Sequence, residues 1–260
     1  MRSILVQADR NDEAKSRVET ALSLARMTGG HVSLLVDTPV ARYTSVDSMG
    51  GSIVAIDALH EALARDDVYA SEVMTRLARE DVPCDVVRAE SEPVSALAEF
   101  GRLADVIIVS RADYVAGDLP LAVRSPVLAV NDDRVLTFPL ESACIAWDGS
   151  AEAGYALRCS LPLLAGCDNV TVLTVQGAAS DWPATEALEY LSRHGICAEL
   201  KILSRQGGVD ETLAHEFQSC RPALVVMGAF GHSRLREFLF GGVTNTFLSL
   251  ANGPALLLAH

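Results

Sequence analysis

Three glycines, Gly228, Gly231 and Gly241, follow the apolar run Ala223-Leu224-Val225-Val226-Met227. Glycine just beyond a buried strand lets backbone N–H groups turn outward and close on an anion. A second glycine cluster, Gly241-Gly242, opening a helix would aim that helix's positive end at the same anion. The chemistry is phosphate binding by main chain, and it requires a strand before the first glycine and a helix after the last. Between them lie His232, Ser233 and Arg234, a polar tip that is ordinarily solvated, although the Arg234 guanidinium suits a phosphate oxygen. His232 has no acidic partner at readable spacing, so no catalytic residue is assigned. With no nucleophile or metal-ligand cluster beside the glycines, any hydrolysis is expected to be slow.

The elements that must position these glycines occur twice. Apolar runs at Ser3–Ala8, His31–Val36, Pro83–Arg88, Asp105–Ser110 and Pro126–Asn131 alternate with helical stretches. A second series follows at Ala143–Trp147, Val170–Val175, Cys197–Leu203, Ala223–Gly228 and Pro254–Ala259. Such alternation predicts βαβ units and parallel sheets buried on both faces. Asn11 or Asp12 is expected to cap the first helix, which Gly29-Gly30 ends, and Ser150 to cap its counterpart before Gly166. A helix over residues 55–80 presents Ile56, Leu59, Leu63, Ala70, Val73 and Leu77 as a core stripe. The segment from Asp37 to Val54, with Tyr43, Asp47 and Ser52, reads as a surface loop rather than a lid.

Matching the series by residue type pairs Asp9 with Asp148, Val36 with Val175, Cys84 with Cys197, Val109 with Met227 and Pro126 with Pro254. The first series then lacks ten residues between its fourth and fifth strands, where the second has its glycines and a helix. Only the second copy keeps a phosphate cradle.

The 260 residues give room for one large domain or two ordinary ones, and half of them are apolar. The longest apolar runs fall well short of a bilayer span, and the opening residues do not make a signal peptide, so a soluble, cytoplasmic protein is expected. Thirty-four acidic against 21 basic residues leave a net charge of −13, which disfavours nucleic acid as a partner. The six cysteines form no C-x-x-C pair and read as small apolar residues.

These features together resemble the tandem universal stress proteins, α/β domains related to other adenine-nucleotide-binding folds. Nucleotide-binding members share Gly, two residues, Gly, nine residues, Gly, then Ser or Thr. Here Gly228, Gly231 and Gly241 take the glycine places with His232 to Phe240 between, and Gly242 departs from the Ser/Thr position. The backbone N–H groups of Gly242 and Val243 remain, and the Thr244 hydroxyl lies close by in sequence. The resemblance also implies a ribose or adenine contact at Asp148, which otherwise serves only to start a turn and cap a helix. Val175 is implied to wall the adenine, or else simply packs in the core.

The resemblance implies two doubly wound domains, 1–137 and 138–260, each a five-stranded parallel sheet of order 3-2-1-4-5 with helices on both faces. Ligand then binds where the first and fourth strands diverge. The implied function is binding of ATP or a related adenine nucleotide, with Mg²⁺ as counter-ion, in the second domain as a regulatory module. The alternative is an interaction scaffold whose glycines only shape turns. The fifth strands, unpaired apolar edges, are expected to join within the chain as a pseudo-dimer, with a homodimer as a further step.

Overall fold

The structure, a computed structural model, describes residues 1–8, 14–46, 52–177, 182–229, 242–250 and 252–260. In the first half β1 (Ser3–Gln7), α1 (Ala14–Thr28) and β2 (His31–Asp37) lead through a 3₁₀ turn (Val40–Tyr43) to a hairpin of β3 (Thr44–Val46) and β4 (Ser52–Val54). Then come α2 (Ile56–Leu77), β5 (Cys84–Ala89), α3 (Pro93–Phe100), β6 (Val106–Ser110), α4 (Val115–Ala122) and β7 (Val127–Val130). The second half runs β8 (Ser142–Ala146), α5 (Ala151–Leu164), β9 (Asn169–Val175), α6 (Ala184–Arg193), β10 (Ala198–Leu203), α7 (Val209–Cys220), β11 (Leu224–Gly228), α8 (Gly242–Ser249) and β12 (Ala255–Ala259).

Ten strands form one sheet in the order β10-β9-β8-β11-β12-β7-β6-β1-β2-β5. Each half therefore has the order 3-2-1-4-5, and all neighbours within a half are parallel. The halves meet where β12 pairs antiparallel with β7, Leu257 opposite Leu128. Strand side chains alternate between two helical layers. Ile4, Val6, Leu128, Leu257, Leu224 and Val226 face α1, α5 and α6, while Leu5, Val127, Leu256, Leu258 and Val225 face α3, α4, α7 and α8. Because both layers run across the β7–β12 seam, the seam is buried on both faces like any central strand pair.

Register corrects the residue-type matching at three strands. Ile4 pairs with Val32 and Val106, and Ala143 with Val170 and Leu224, so the first and fourth strands correspond as the sequence implies. Val32, however, corresponds to Val170, which puts Val36 with Thr174 rather than Val175. Cys84 corresponds to Ala198 rather than Cys197, and Ala129 to Leu258 rather than Leu257. The first half is thus one residue shorter still before its fifth strand. A one-residue slip exchanges the two faces of a strand, so burial decides the match where shared Cys or Pro does not.

Two further expectations change. Ile56 is exposed and the buried stripe of α2 is Ala62, Asp66, Ala70 and Leu77, with Asp66 accepting from the Thr38 hydroxyl. The stretch read as a surface loop pairs Thr44 with Val54 and Ser45 with Ile53; β-branched residues in both arms favour the extended form. Asp47, like Asp9, Asn11 and Asp12, lies outside the described residues. Among the described residues no helix is long and apolar enough to cross a membrane.

Candidate functional site

β8 ends at Ala146, and the next residues turn the chain into α5. Asp148 Oδ1 accepts from Ser150 N (2.9 Å) and from Ser150 Oγ (2.6 Å), across Gly149, whose φ of +77° suits glycine. Ser150 Oγ in turn accepts from Ala153 N (3.1 Å), so the expected cap of α5 is formed. One carboxylate oxygen and one hydroxyl thereby fix the start of the helix, and its positive end sits at the C-terminal edge of the sheet.

β11 lies beside β8, with Met227 opposite Ala146, and ends at Gly228. A β-carbon on Gly228 would stand 2.6 Å from Ala153 N and 2.8 Å from the Glu152 carbonyl carbon. Only glycine lets the first turn of α5 lie against the strand end, so this glycine has a packing reason as well as the one read from the sequence. Beyond it, Ala229 N donates to Ala259 O (2.8 Å), and His260 Nδ1 lies 2.9 Å from Ala229 O.

The connections leave β8 and β11 on opposite sides of the sheet. Ala153, Ala156 and Leu157 of α5 pack in one layer, whereas Phe247 of α8 packs in the other, against Phe217 of α7 with ring centroids 5.1 Å apart. The first and fourth strands therefore part at a topological switch point, where doubly wound sheets bind ligands. Asp148 and Gly228 lie at adjacent strand ends there. Val175 ends β9 next to β8, buried and paired with Leu203 of β10. Gly242 and Val243 open α8, and Thr244 is buried in its first turn. Gly231, His232, Ser233, Arg234 and Gly241 lie outside the described residues.

The sequence reading missed the two tryptophans. A cavity of about 510 Å³ opens between α5 and α6 beside the Asp148 turn, and Trp147, Ser150, Arg158, Trp182 and Tyr190 line it. Trp147 Nε1 donates to Trp182 O (3.0 Å). The chain has only two tryptophans, and both are here; that scarcity was the available signal. Indole faces stack on planar bases.

A larger cavity, about 960 Å³, lies at the corresponding ends of β6 and β7 and is lined on one side by α8. Two of its charged groups, Arg111 and Asp132, are engaged by the protein itself. Arg111 donates to Leu250 O (2.9 Å), to Phe247 O and to Asn131 Oδ1 (3.3 Å), so a first-half cation sits at the C-terminal end of α8. Burial, and then neighbouring Arg134, lower the Arg111 pKa to about 10. Asp132 accepts from the Ser110 hydroxyl and from Arg17 Nη1 (3.1 Å). Among the described residues no group of three or more His, Cys, Asp and Glu side chains is placed to hold a metal ion.

No family model matches the chain. A universal stress protein of Synechocystis sp. strain PCC 6803 is 24% identical over 291 aligned positions, covering 98% of this chain and 99% of that protein. Among solved structures, a universal stress protein of Archaeoglobus fulgidus DSM 4304 superposes with a TM-score of 0.72 at 14% identity, covering 98% of this chain and 97% of its own. A functionally unknown protein of Pseudomonas aeruginosa PAO1 gives a TM-score of 0.61 at 16% identity, covering 100% of this chain and 92% of its own.

Proposed function

We propose that this chain, a tandem-domain universal stress protein in its fold and its end-to-end sequence match, binds ATP or a related adenine nucleotide within residues 138–260. The observation that carries the reading is the convergence at one switch point. Gly228 ends β11, Asp148 follows β8, and the first turn of α5 lies against both. The phosphates would meet the backbone of the Gly228–Gly242 segment and the first turn of α8, with Arg234, Ser233, His232 and Thr244 as side-chain donors. Asp148 would accept from the ribose, and Val175 with the tryptophan pair would border the base. The donor set of main-chain N–H groups and a single carboxylate suits a phosphate chain that brings its own Mg²⁺, a metal that keeps much of its water and takes few protein ligands.

The proposed role is regulatory, in a stress response: nucleotide occupancy biases conformation or assembly, and the two halves act as a pseudo-dimer about the β7–β12 seam, open to further homodimerisation. The first half carries Ser110 where the second has Gly228, and there Asp132 is taken up by Arg17 and the Ser110 hydroxyl. The expected stoichiometry is therefore one nucleotide per chain. Calorimetric titration with ATP and Mg²⁺ tests this, alongside mass spectrometry of small molecules released from the purified, denatured protein. Two equivalent sites would contradict the asymmetry, and absence of heat with ATP, ADP and AMP together with no co-purified nucleotide would sink the reading.

One observation favours a second reading, an interaction scaffold without nucleotide. Gly228 is already required by the approach of α5, and Asp148 Oδ1 is already engaged by Ser150. Gly231→Phe separates the two: it abolishes ATP binding in the first reading, whereas in the second neither ATP titration nor partner capture changes.

A further inference from the structure

Two of the six thiols come together in the second half. Cys144 lies buried in the middle of β8, and Cys220 is the exposed last residue of α7. Their sulfurs are 3.9 Å apart across 76 residues of chain. The contact belongs to the packing of α7 on the sheet, where Leu213 and Phe217 share a layer with Cys144, Leu173 and Val225. A disulfide requires about 2 Å between sulfurs, so closing the gap takes a movement of about 2 Å at a helix end. Cys84, in contrast, donates to Val82 O (3.3 Å), and Cys167 to Asn169 O (3.4 Å).

We propose that Cys144 and Cys220 form a reversible dithiol–disulfide pair that clamps the C-terminal end of α7 to β8 when the protein meets a hydroperoxide. The exposed thiol reacts first. Cys220 loses its proton to solvent, and the thiolate sulfur attacks the terminal peroxide oxygen. The O–O bond breaks, the leaving alkoxide or hydroxide takes up a proton, and Cys220 becomes a sulfenic acid. The Cys144 sulfur then attacks the Cys220 sulfur, the S–O bond breaks, and the departing hydroxide takes the Cys144 proton as water. In sum two thiols and one hydroperoxide give one disulfide, one alcohol (or water) and one water, and an external thiol reverses it.

The microenvironment supports this order. Burial raises the pKa of both thiols. Cys144 is the more deeply buried, and the Cys144–Cys220 contact itself favours the Cys220 thiolate. Lys201 and Glu216, paired at 2.7 Å, stand beside Cys220 with opposing effects. The reaction is therefore slower than at an activated cysteine but directed to one partner. The clamp reaches further than its own helix, because α7 carries α8 through the Phe217–Phe247 contact. It operates whether or not a nucleotide binds.

The test is oxidation of the full-length protein with hydrogen peroxide, then alkylation of remaining thiols and peptide mapping. The expected result is a Cys144–Cys220 linked peptide, a mass loss of about 2 Da reversed by dithiothreitol, and a Tm raised by roughly 5 °C or more. In Cys220→Ser, at an exposed position that leaves the core intact, peroxide should consume Cys144 at least roughly tenfold more slowly, because its route through the sulfenic acid is gone. The proposal is overturned if Cys220 accumulates as sulfinate with Cys144 still alkylatable, if Cys220 links between chains instead, or if Cys144 is lost at the same rate in the variant.

Discussion

The fourth strands of the two halves end differently, and that difference sets what each half has room to do. β11 ends at Gly228, against which the first turn of α5 lies so closely that a β-carbon would overlap the helix backbone. β6 ends at Ser110, the register counterpart of Gly228, and its hydroxyl donates to Asp132. Asp132 also takes Arg17 from α1, a guanidinium only 1% exposed. The burial patterns of α1 and α5 superpose, and Arg17 falls where α5 has Ala156. Among the described residues, one half thus presents main chain and a helix terminus at its strand ends, and the other fills the same place with a paired charge. A buried ion pair of this kind fixes an arrangement more than it adds stability.

The largest effect is expected where the first half depends on that pair. Asp132→Ala leaves Arg17 buried without this carboxylate, which costs about 3–5 kcal/mol. Chemical denaturation should show it as a lower midpoint, while ATP affinity per folded molecule stays unchanged. A cost under about 1 kcal/mol would mean that Arg17 rearranges to solvent, and the contrast between the halves would weaken.

The reciprocal change is smaller. Gly228→Ala forces the first turn of α5 off β11 and is expected to cost about 1–3 kcal/mol, the range for overpacking a close contact. It should also weaken ATP binding at least tenfold, because the displaced backbone carries both strand ends. Ser110→Gly in the first half should neither create a second titratable nucleotide site nor restore helix approach, since Arg17 still occupies the layer. Two ATP per chain in that variant would show that the serine alone closes the first copy.

The architecture was legible because its signals are redundant. Ten apolar runs, bounded by Gly, Pro and Asp, recur in the same order, and parallel strands buried on both faces can be little else. The Ser150 cap was legible for a local reason, since a hydroxyl before a helical stretch has few other uses. Register was not legible, because matching Cys84 to Cys197 or Pro126 to Pro254 uses residue identity, whereas the pleat obeys burial. The Arg17–Asp132–Ser110 cluster escaped notice since its members lie far apart in sequence and an arginine in an amphipathic helix reads as surface. Gly228 was read as a phosphate glycine from its place after a strand; its second duty, admitting α5, depends on a neighbour that sequence order does not reveal. The tryptophan pair needed the α5–α6 approach to line a cavity.

The smallest effect bears on the most specific point. Ser150 Oγ accepts from Ala153 N and donates to Asp148 Oδ1, so Ser150→Ala removes the cap of α5 and half of the hold on the carboxylate. The cap alone is worth about 1 kcal/mol, and a fall in stability of that size is expected whatever the site does. Nucleotide affinity separates the readings. If Asp148 receives the ribose, loosening its turn should lower ATP affinity by roughly three- to tenfold, an energy on the order of one neutral hydrogen bond, and adenosine should lose as much as ATP. If instead the phosphates alone are held, by Gly228 and the start of α8, ATP should keep its affinity although α5 has lost its cap. Equal losses for ATP and inorganic triphosphate would place the effect on the helix terminus rather than on the carboxylate, because only the nucleotide carries a ribose for Asp148 to accept.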